Sequence, residues 1–430
     1  MRKILFGVFG CLVAVCVHAA QVANLDYVHK LIQQKWDISI PIKADNPMLA
    51  TNMKYLLTAV DVANEILNGE KTTDYGNGEF ATLHAADTVA TNQAVETLVR
   101  KIDKGPEFTL TTTPNTSNFS FSISAAGEFV VDWGDGTVET KTKPDTTNTT
   151  YTHNYATVGA YTIGLSGQAT AYNTDVISSF MGNKYTLAAI SFLSSARKIA
   201  SIDGSLGAIF GTLTDGTQPG FYSTFSGAYN MTGSIPSDLF AGITGAPTAG
   251  MFSDTFNACR GLTSIPDGLF AGISGAPADS MFSSTFNACR GLTSIPDGLF
   301  AGISGAPASY MFSGTFNGCS GLTSIPDGLF AGISGAPASY MFLDTFSGCS
   351  GLTSIPENLF GNISGTSESQ MFEGMFWRCA SLTGPSAKIN GQYLYEIWPN
   401  WNPTYYGTYT DCTGLSDYSA IPNSWKNDDD

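Results

Sequence analysis

Charge is scarce in this chain: Asp, Glu, Lys and Arg make up 13% of its 430 residues, about half the ordinary share. That is too little for a coiled coil or for a charge-solvated disordered tail. Cations are the scarcer sign, 20 Lys plus Arg against 36 Asp plus Glu, a net charge of −16. Such a balance argues against nucleic-acid binding and against docking on anionic lipid. There are four His, none beyond His153, and eight Cys. This leaves little material for zinc sites, for Cys–His nucleophiles or for any cofactor. From residue 20 onward no run of 18 apolar residues occurs, so no membrane-spanning helix is expected there. No Gly-rich phosphate-binding motif is present.

What is present falls into parts. Arg2 and Lys3 precede an apolar stretch from Ile4 to Val17, and Val17-His18-Ala19 offers a cleavage position. Residues 1–19 therefore read as a signal peptide, and the mature chain as secreted or held at the cell surface. Cys11 and Cys16, preceded by Phe9-Gly10 and Val15, have the wrong neighbours for lipoprotein-type acylation. Residues 20–104 carry three stripes at helical spacing: Leu25, Val28, Leu31, Ile32 and Trp36; Met53, Leu56, Leu57, Val60 and Leu67; Val95, Leu98, Val99 and Ile102. The spacing predicts a small helical segment ended by Gly105-Pro106. It carries no identifiable chemistry.

Residues 105–170 switch to alternating Thr, Ser and aromatic residues, the pattern of short strands. In FVVDWGDGTVETK, Asp135-Gly136 supplies a tight turn between two strands. A polar loop, His153, Tyr155, Gly159 and Tyr161 follow. This arrangement of Trp133, Gly134, Asp135, Gly136, Thr137, His153, Tyr155, Gly159 and Tyr161 resembles the PKD-type domain. The resemblance implies an immunoglobulin-type β-sandwich, usually a spacer or interaction module on exported proteins. Asp132 and Asp135 admit a calcium reading, but turn aspartates that bond their own backbone are favoured.

Residues 171–425 are dominated by a 30-residue repeat, clearest from MFSDTFNACRGLTSIPDGLFAGISGAPADS at 251–280 through 341–370. Within one copy, Met311, Phe312, Phe316 and Cys319 fit one face of a short helix or turn. Leu322 and Ile325 suit a short strand that Pro326 ends. Leu329, Phe330 and Ile333 form a second apolar turn. One copy buries too little to order itself, so neighbouring coils must stack. The pattern F-x-x-C-x-x-L-T-S-I-P resembles BspA-like leucine-rich-repeat surface proteins and the repeats of mycoplasma surface lipoproteins. That implies a leucine-rich-repeat-type solenoid exposed on a cell surface, binding host, matrix, cell or glycan ligands. Cys259, Cys289, Cys319, Cys349 and Cys379, with Cys412 beyond, form a column whose first copies carry Tyr229 or no Cys. Parallel stacked Cβ vectors do not suit disulfides, so a structural ladder of buried free thiols is favoured.

Columns that differ between near-identical copies are expected to face water, because cores tolerate little change. They are Asp254, Ser284, Gly314 and Asp344; Arg260, Arg290, Ser320 and Ser350; and Ser280, Tyr310, Tyr340 and Gln370. Tyr310 and Tyr340, with Ser309 and Ser339, are the candidate ligand-binding face, although drift at neutral surface positions gives the same pattern. Residues 392–425 are rich in Trp and Tyr, which suits an end cap or, less well, sugar stacking. The expectation is thus a multidomain α+β protein: a helical segment, a PKD-like sandwich and a leucine-rich-type solenoid with an end cap. Its expected role is non-enzymatic adhesion or recognition, with a protein or glycan on host or neighbouring cells as partner. A structural envelope or fibre scaffold is the alternative. A glycan-active enzyme would need a catalytic domain for which no residues are left over.

Overall fold

The computed structural model describes residues 106–426, apart from 179–181, 402 and 405–406. The expected signal peptide (1–19) and helical segment (20–104) lie outside the described residues. The chain divides into two units, residues 1–106 with 136–138, and 107–135 with 139–430. Of the first, only residues 106 and 136–138 are described. The second holds two larger sheets, three two-stranded pairs and all the repeats.

The strands in chain order are β1 (Phe108–Thr112), β2 (Thr116–Ile123), β3 (Ala125–Asp132), β4 (Val138–Lys143), β5 (Thr149–Gly159), β6 (Thr162–Tyr172), β7 (Val176–Ser178), β8 (Lys184–Thr186), β9 (Ile190–Ser191) and β10 (Ile199–Gly204). One sheet runs β10-β1-β6-β3-β4 and a second β5-β2-β9. β1 lies antiparallel between β6 and β10, with Phe108 opposite Leu165 and Gly204. The sequence alternates, so Phe108, Leu110, Phe129, Val131, Ile163 and Leu165 of the first sheet turn inward. Phe119, Phe121 and Ile123 of the second meet them, and Phe121 lies 5.6 Å from Trp133. The sheets do not end at residue 170. β9 pairs with β2, and β10 with β1. Residues beyond 170 thus supply edge strands to both sheets, satisfying backbone groups that would otherwise be open.

The expected α+β class does not hold. The described residues are mostly strand and turn, and the α-helix among them is the single turn α1 (Leu394–Ile397). The leucine-rich expectation of one strand per coil also fails. Two coils pair in parallel through β11 (Thr232–Ser234) and β12 (Gly261–Ser264), whereas the same stretch in later copies forms no strand. There the coils touch by isolated bonds, from Thr323 N–H to Thr293 O at 3.4 Å to Thr383 N–H to Thr353 O at 2.9 Å.

The ordered ladder lies instead on the Met-Phe stretch that fits a helical face. Alternate N–H groups reach the next coil: Phe252 to Met281 O, Asp254 to Ser283 O, Phe256 to Thr285 O and Ala258 to Asn287 O, all at 2.7–2.9 Å. The intervening N–H groups turn back three residues within their own coil, as Thr255 does to Phe252 O at 3.2 Å. A helix is broken because every fourth residue is left-handed: φ is 55° at Asp254, 60° at Ala258 and 55° at Ser284. Side chains then stack coil on coil. Phe256, Phe286, Phe316, Phe346 and Phe376 form a column with centroids 5.6 Å apart at each step. Such parallel rings add to the burial of each side chain. Near residue 388 β13 (Lys388–Ile389) and β14 (Gln392–Tyr393) make a small hairpin ahead of α1. Among the described residues no helix is long and apolar enough to cross a membrane.

Candidate recognition surface

The PKD-like residues assemble into one cluster. Trp133 is fully buried, and its Nε1–H donates to Glu139 Oε2 at 2.7 Å. That bond and Lys141 hold the Glu139 carboxyl below its ordinary range. The Trp133 ring stacks on His153 at 5.0 Å, His153 meets Tyr155 edge-on at 4.8 Å, and Tyr155 stacks on Tyr161 at 3.6 Å. Tyr155 Oη–H donates to Trp133 O at 2.9 Å, and burial pushes its phenol up. The two aspartates are used differently. Asp132 accepts the Gly134 N–H at 2.9 Å, as a turn aspartate does, while Asp135 Oδ2 pairs with His153 Nε2 at 2.8 Å. Gly159 lies against the Tyr161 ring, where a Cβ would sit at 3.5 Å, and Gly136 takes φ 94°. This cluster is a structural latch. Among the described residues no group of His, Cys, Asp and Glu has metal-holding geometry.

The structure brings Tyr310 and Tyr340 together. Their rings are parallel with centroids 4.3 Å apart. Both are half-buried, as are Ser309 and Ser339, so the face is not the open surface expected. Burial and the neighbouring Tyr340 push the Tyr310 phenol up to about 12. Gly182, between β7 and β8, stands beside it, where a Cβ would lie 3.6 Å from Tyr310 Oη. The hairpin is pinned to the coils by Lys184, whose Nζ pairs with Asp279 at 2.6 Å. Tyr310 and Tyr340 sit at φ 57° and 61°, in a column whose other members are Gly250, Ser280 and Gln370. A bulky side chain in the left-handed region costs about 1–2 kcal/mol. Ser280 is fully buried and Gln370 nearly so, so this column is not uniformly water-facing.

The other two variable columns part company. Asp254 is half-buried, with its carboxylate on Asn257 Nδ2 at 2.7 Å, and Gly314 is buried. A left-handed turn folds these positions back against the next coil. Arg260, Arg290, Ser320 and Ser350 are all exposed. Tyr229 belongs with them rather than with the thiols. Its ring faces Arg260, and Ala228 occupies the thiol column, whose next member Cys259 donates to Phe225 O at 3.3 Å. The thiols themselves are free and fully buried. Each bonds a Phe carbonyl of the preceding coil, as Cys289 does to Phe256 O at 3.1 Å. Burial raises them, Cys319 up to about 12, which keeps them protonated.

A column that sequence reasoning missed lies beside the thiols. Thr255, Thr285, Thr315 and Thr345 are fully buried, and each hydroxyl spans two coils. Thr315 Oγ1 reaches Phe312 O at 2.8 Å and Phe282 O at 2.9 Å. The signal was the Thr that stands unchanged in each M-F-x-x-T-F. A buried carboxylate pair was also not foreseen. Asp344 lies beside Glu373, and burial and that neighbour's charge push it up to about 7. Glu373 is 2% exposed and accepts the Thr404 N–H at 2.7 Å, which leaves it closed to a substrate. The aromatic segment packs inward as well: Trp398, Trp401, Tyr409 and Trp425 are buried, and Tyr409 stacks on Phe376 at 5.9 Å. It is a cap. Tyr405 and Tyr406 lie outside the described residues.

In comparison with known proteins, the chain matches no protein-family model and no curated protein.

Proposed function

We propose that this is an exported, non-enzymatic surface protein that recognises a protein or glycan ligand on host or neighbouring cells through its coil stack. The observation that carries the reading is a division of labour within the repeat. Phe, Thr and Cys columns stay the same from coil to coil and are buried, while the exposed column of Arg260, Arg290, Ser320 and Ser350 changes between copies that are otherwise almost identical. Tyr310 and Tyr340 add to it, because two large side chains occupy left-handed positions that Gly250 fills without strain. The resemblance to BspA-like surface proteins and to PKD modules agrees with an exported role. The scaffold alternative is weaker, since Tyr409 and Trp425 cover the coil that a growing fibre would need open.

The test is retention of labelled full-length protein on intact cells and matrix. Tyr310→Ala/Tyr340→Ala should weaken retention severalfold without lowering thermal stability. Retention equal to the parent, or none by either protein, would contradict the reading.

A further inference from the structure

The outer face of the first coils carries a feature that the tyrosine pair does not explain. Arg197, Tyr229, Arg260 and Arg290 occupy one column on successive coils, and all four are exposed. The Tyr229 ring is held between two cations, with Arg197 Cζ 5.2 Å and Arg260 Cζ 4.7 Å from its centroid. Tyr229 is 37% exposed, so this sandwich sits at the surface.

Carboxylates outnumber cations 36 to 20 in this chain, and several cations accordingly have acidic partners. Lys141, Lys143, Lys184 and Arg378 each pair with a carboxylate. Arg197, Arg260 and Arg290 make no side-chain hydrogen bond or ion pair among the described residues. Stacking on Tyr229 positions two of the guanidinium groups without using their N–H donors. Beside the column run exposed hydroxyls: Thr232, Thr263 and Thr293, and Ser264 Oγ lies 2.6 Å from Ser234 Oγ. Exposed Asp267 and Asp297 follow further along each coil and bound the positive strip.

We infer that this column binds a linear anionic glycan bearing one carboxylate per sugar, a polyuronate. The inference rests on the recognition reading above and names a ligand class for a second face of the same stack. The rings of the buried Phe256 column are 5.6 Å apart from coil to coil, so the coils advance by a step comparable with one sugar residue. Guanidinium groups in such a row match carboxylates bidentately, and the flanking Thr and Ser hydroxyls suit sugar hydroxyls. The net charge of −16 sets the selectivity. Three guanidiniums offset a row of single carboxylates, whereas a glycan with several sulfates per disaccharide meets the repulsion of the whole molecule more strongly. The strip is made of exposed polar side chains, whereas a peptide side chain is anchored in a desolvated apolar pocket.

The test is titration of full-length protein with an oligomer of polygalacturonate, which carries one carboxylate per sugar. Binding is expected, weakening as salt is raised. It should be lost with the methyl-esterified oligomer, and fall about tenfold or more in Arg260→Gln/Arg290→Gln. Thermal unfolding of that variant should match the parent, because both sites are exposed. Absence of binding, equal binding of the methyl ester, equal binding by the variant, or tighter binding of sulfated glycan or single-stranded DNA would each overturn the inference. Cell retention that depends on Tyr310 and Tyr340 without polygalacturonate binding would sink this inference and spare the recognition reading. Polygalacturonate binding without cell retention would do the reverse.

Discussion

Gly134 and Asp344 show how single residues are constrained here. Gly134 takes φ 79°, and a Cβ there would lie 2.4 Å from the Thr162 carbonyl oxygen. Gly134→Ala combines a left-handed backbone with a clash against main chain. It should cost at least about 2 kcal/mol by chemical denaturation; an unchanged midpoint would refute the latch geometry. Asp344 is held up to about 7 by burial and by Glu373, against about 3.9 in an unfolded chain. Between those values the folded state binds a proton that the unfolded state has released. The stability this supplies is present below about pH 4 and is lost as pH rises toward 7. Asp344→Asn should flatten that loss, measured as melting temperature across pH 4 to 8. A parallel pH profile in parent and variant would contradict it.

At the scale of the element, the stacked columns are the unit of stability. Phe286 is fully buried and stacks on Phe256 and on Phe316, each at 5.6 Å. Phe286→Ala should cost about 3–5 kcal/mol, while Thr315→Val, which removes two buried hydroxyl bonds, should cost about 1–2 kcal/mol. Denaturation midpoints in the opposite order would refute the account of the coil interior. These columns also show what the sequence revealed. The period, the apolar positions and the thiol column were legible, because stacking repeats any side chain that must be buried. The backbone was not. Met311, Phe312, Phe316 and Cys319 have helical spacing, but recurrent left-handed residues such as Ala258 and Ala288 turn the stretch into a ladder, and Ala does not announce φ near 60°. Asp254 and Asp344 vary between copies as surface residues do, yet they fold back against the next coil. The Trp133–His153–Tyr155–Tyr161 residues were legible as a set because the latch needs each ring. The edge strands were not, since they come from Ile190–Ser191 and Ile199–Gly204, beyond the expected end of the module at residue 170. Tyr229 was misplaced by one residue, and only the shifted register of the first copy puts it between Arg197 and Arg260.

The whole molecule presents a problem that repeats always pose, the exposed end of the stack. Trp425 is fully buried, 4.6 Å from Trp401 and 6.4 Å from Tyr409, and its carbonyl accepts the Tyr409 N–H at 2.8 Å. Trp425→Ala should uncover Tyr409 and leave an apolar coil face open. Sedimentation should then show association that grows with concentration; a monodisperse variant of parent stability would mean that other residues close the stack. The central claim is that the coils act outside the cell. Digestion of intact source cells with an impermeant protease, probed with an antibody to the 251–370 repeats, tests it most directly. The account predicts loss of the repeat signal while cytoplasmic markers stay intact. Full protection until lysis would contradict it.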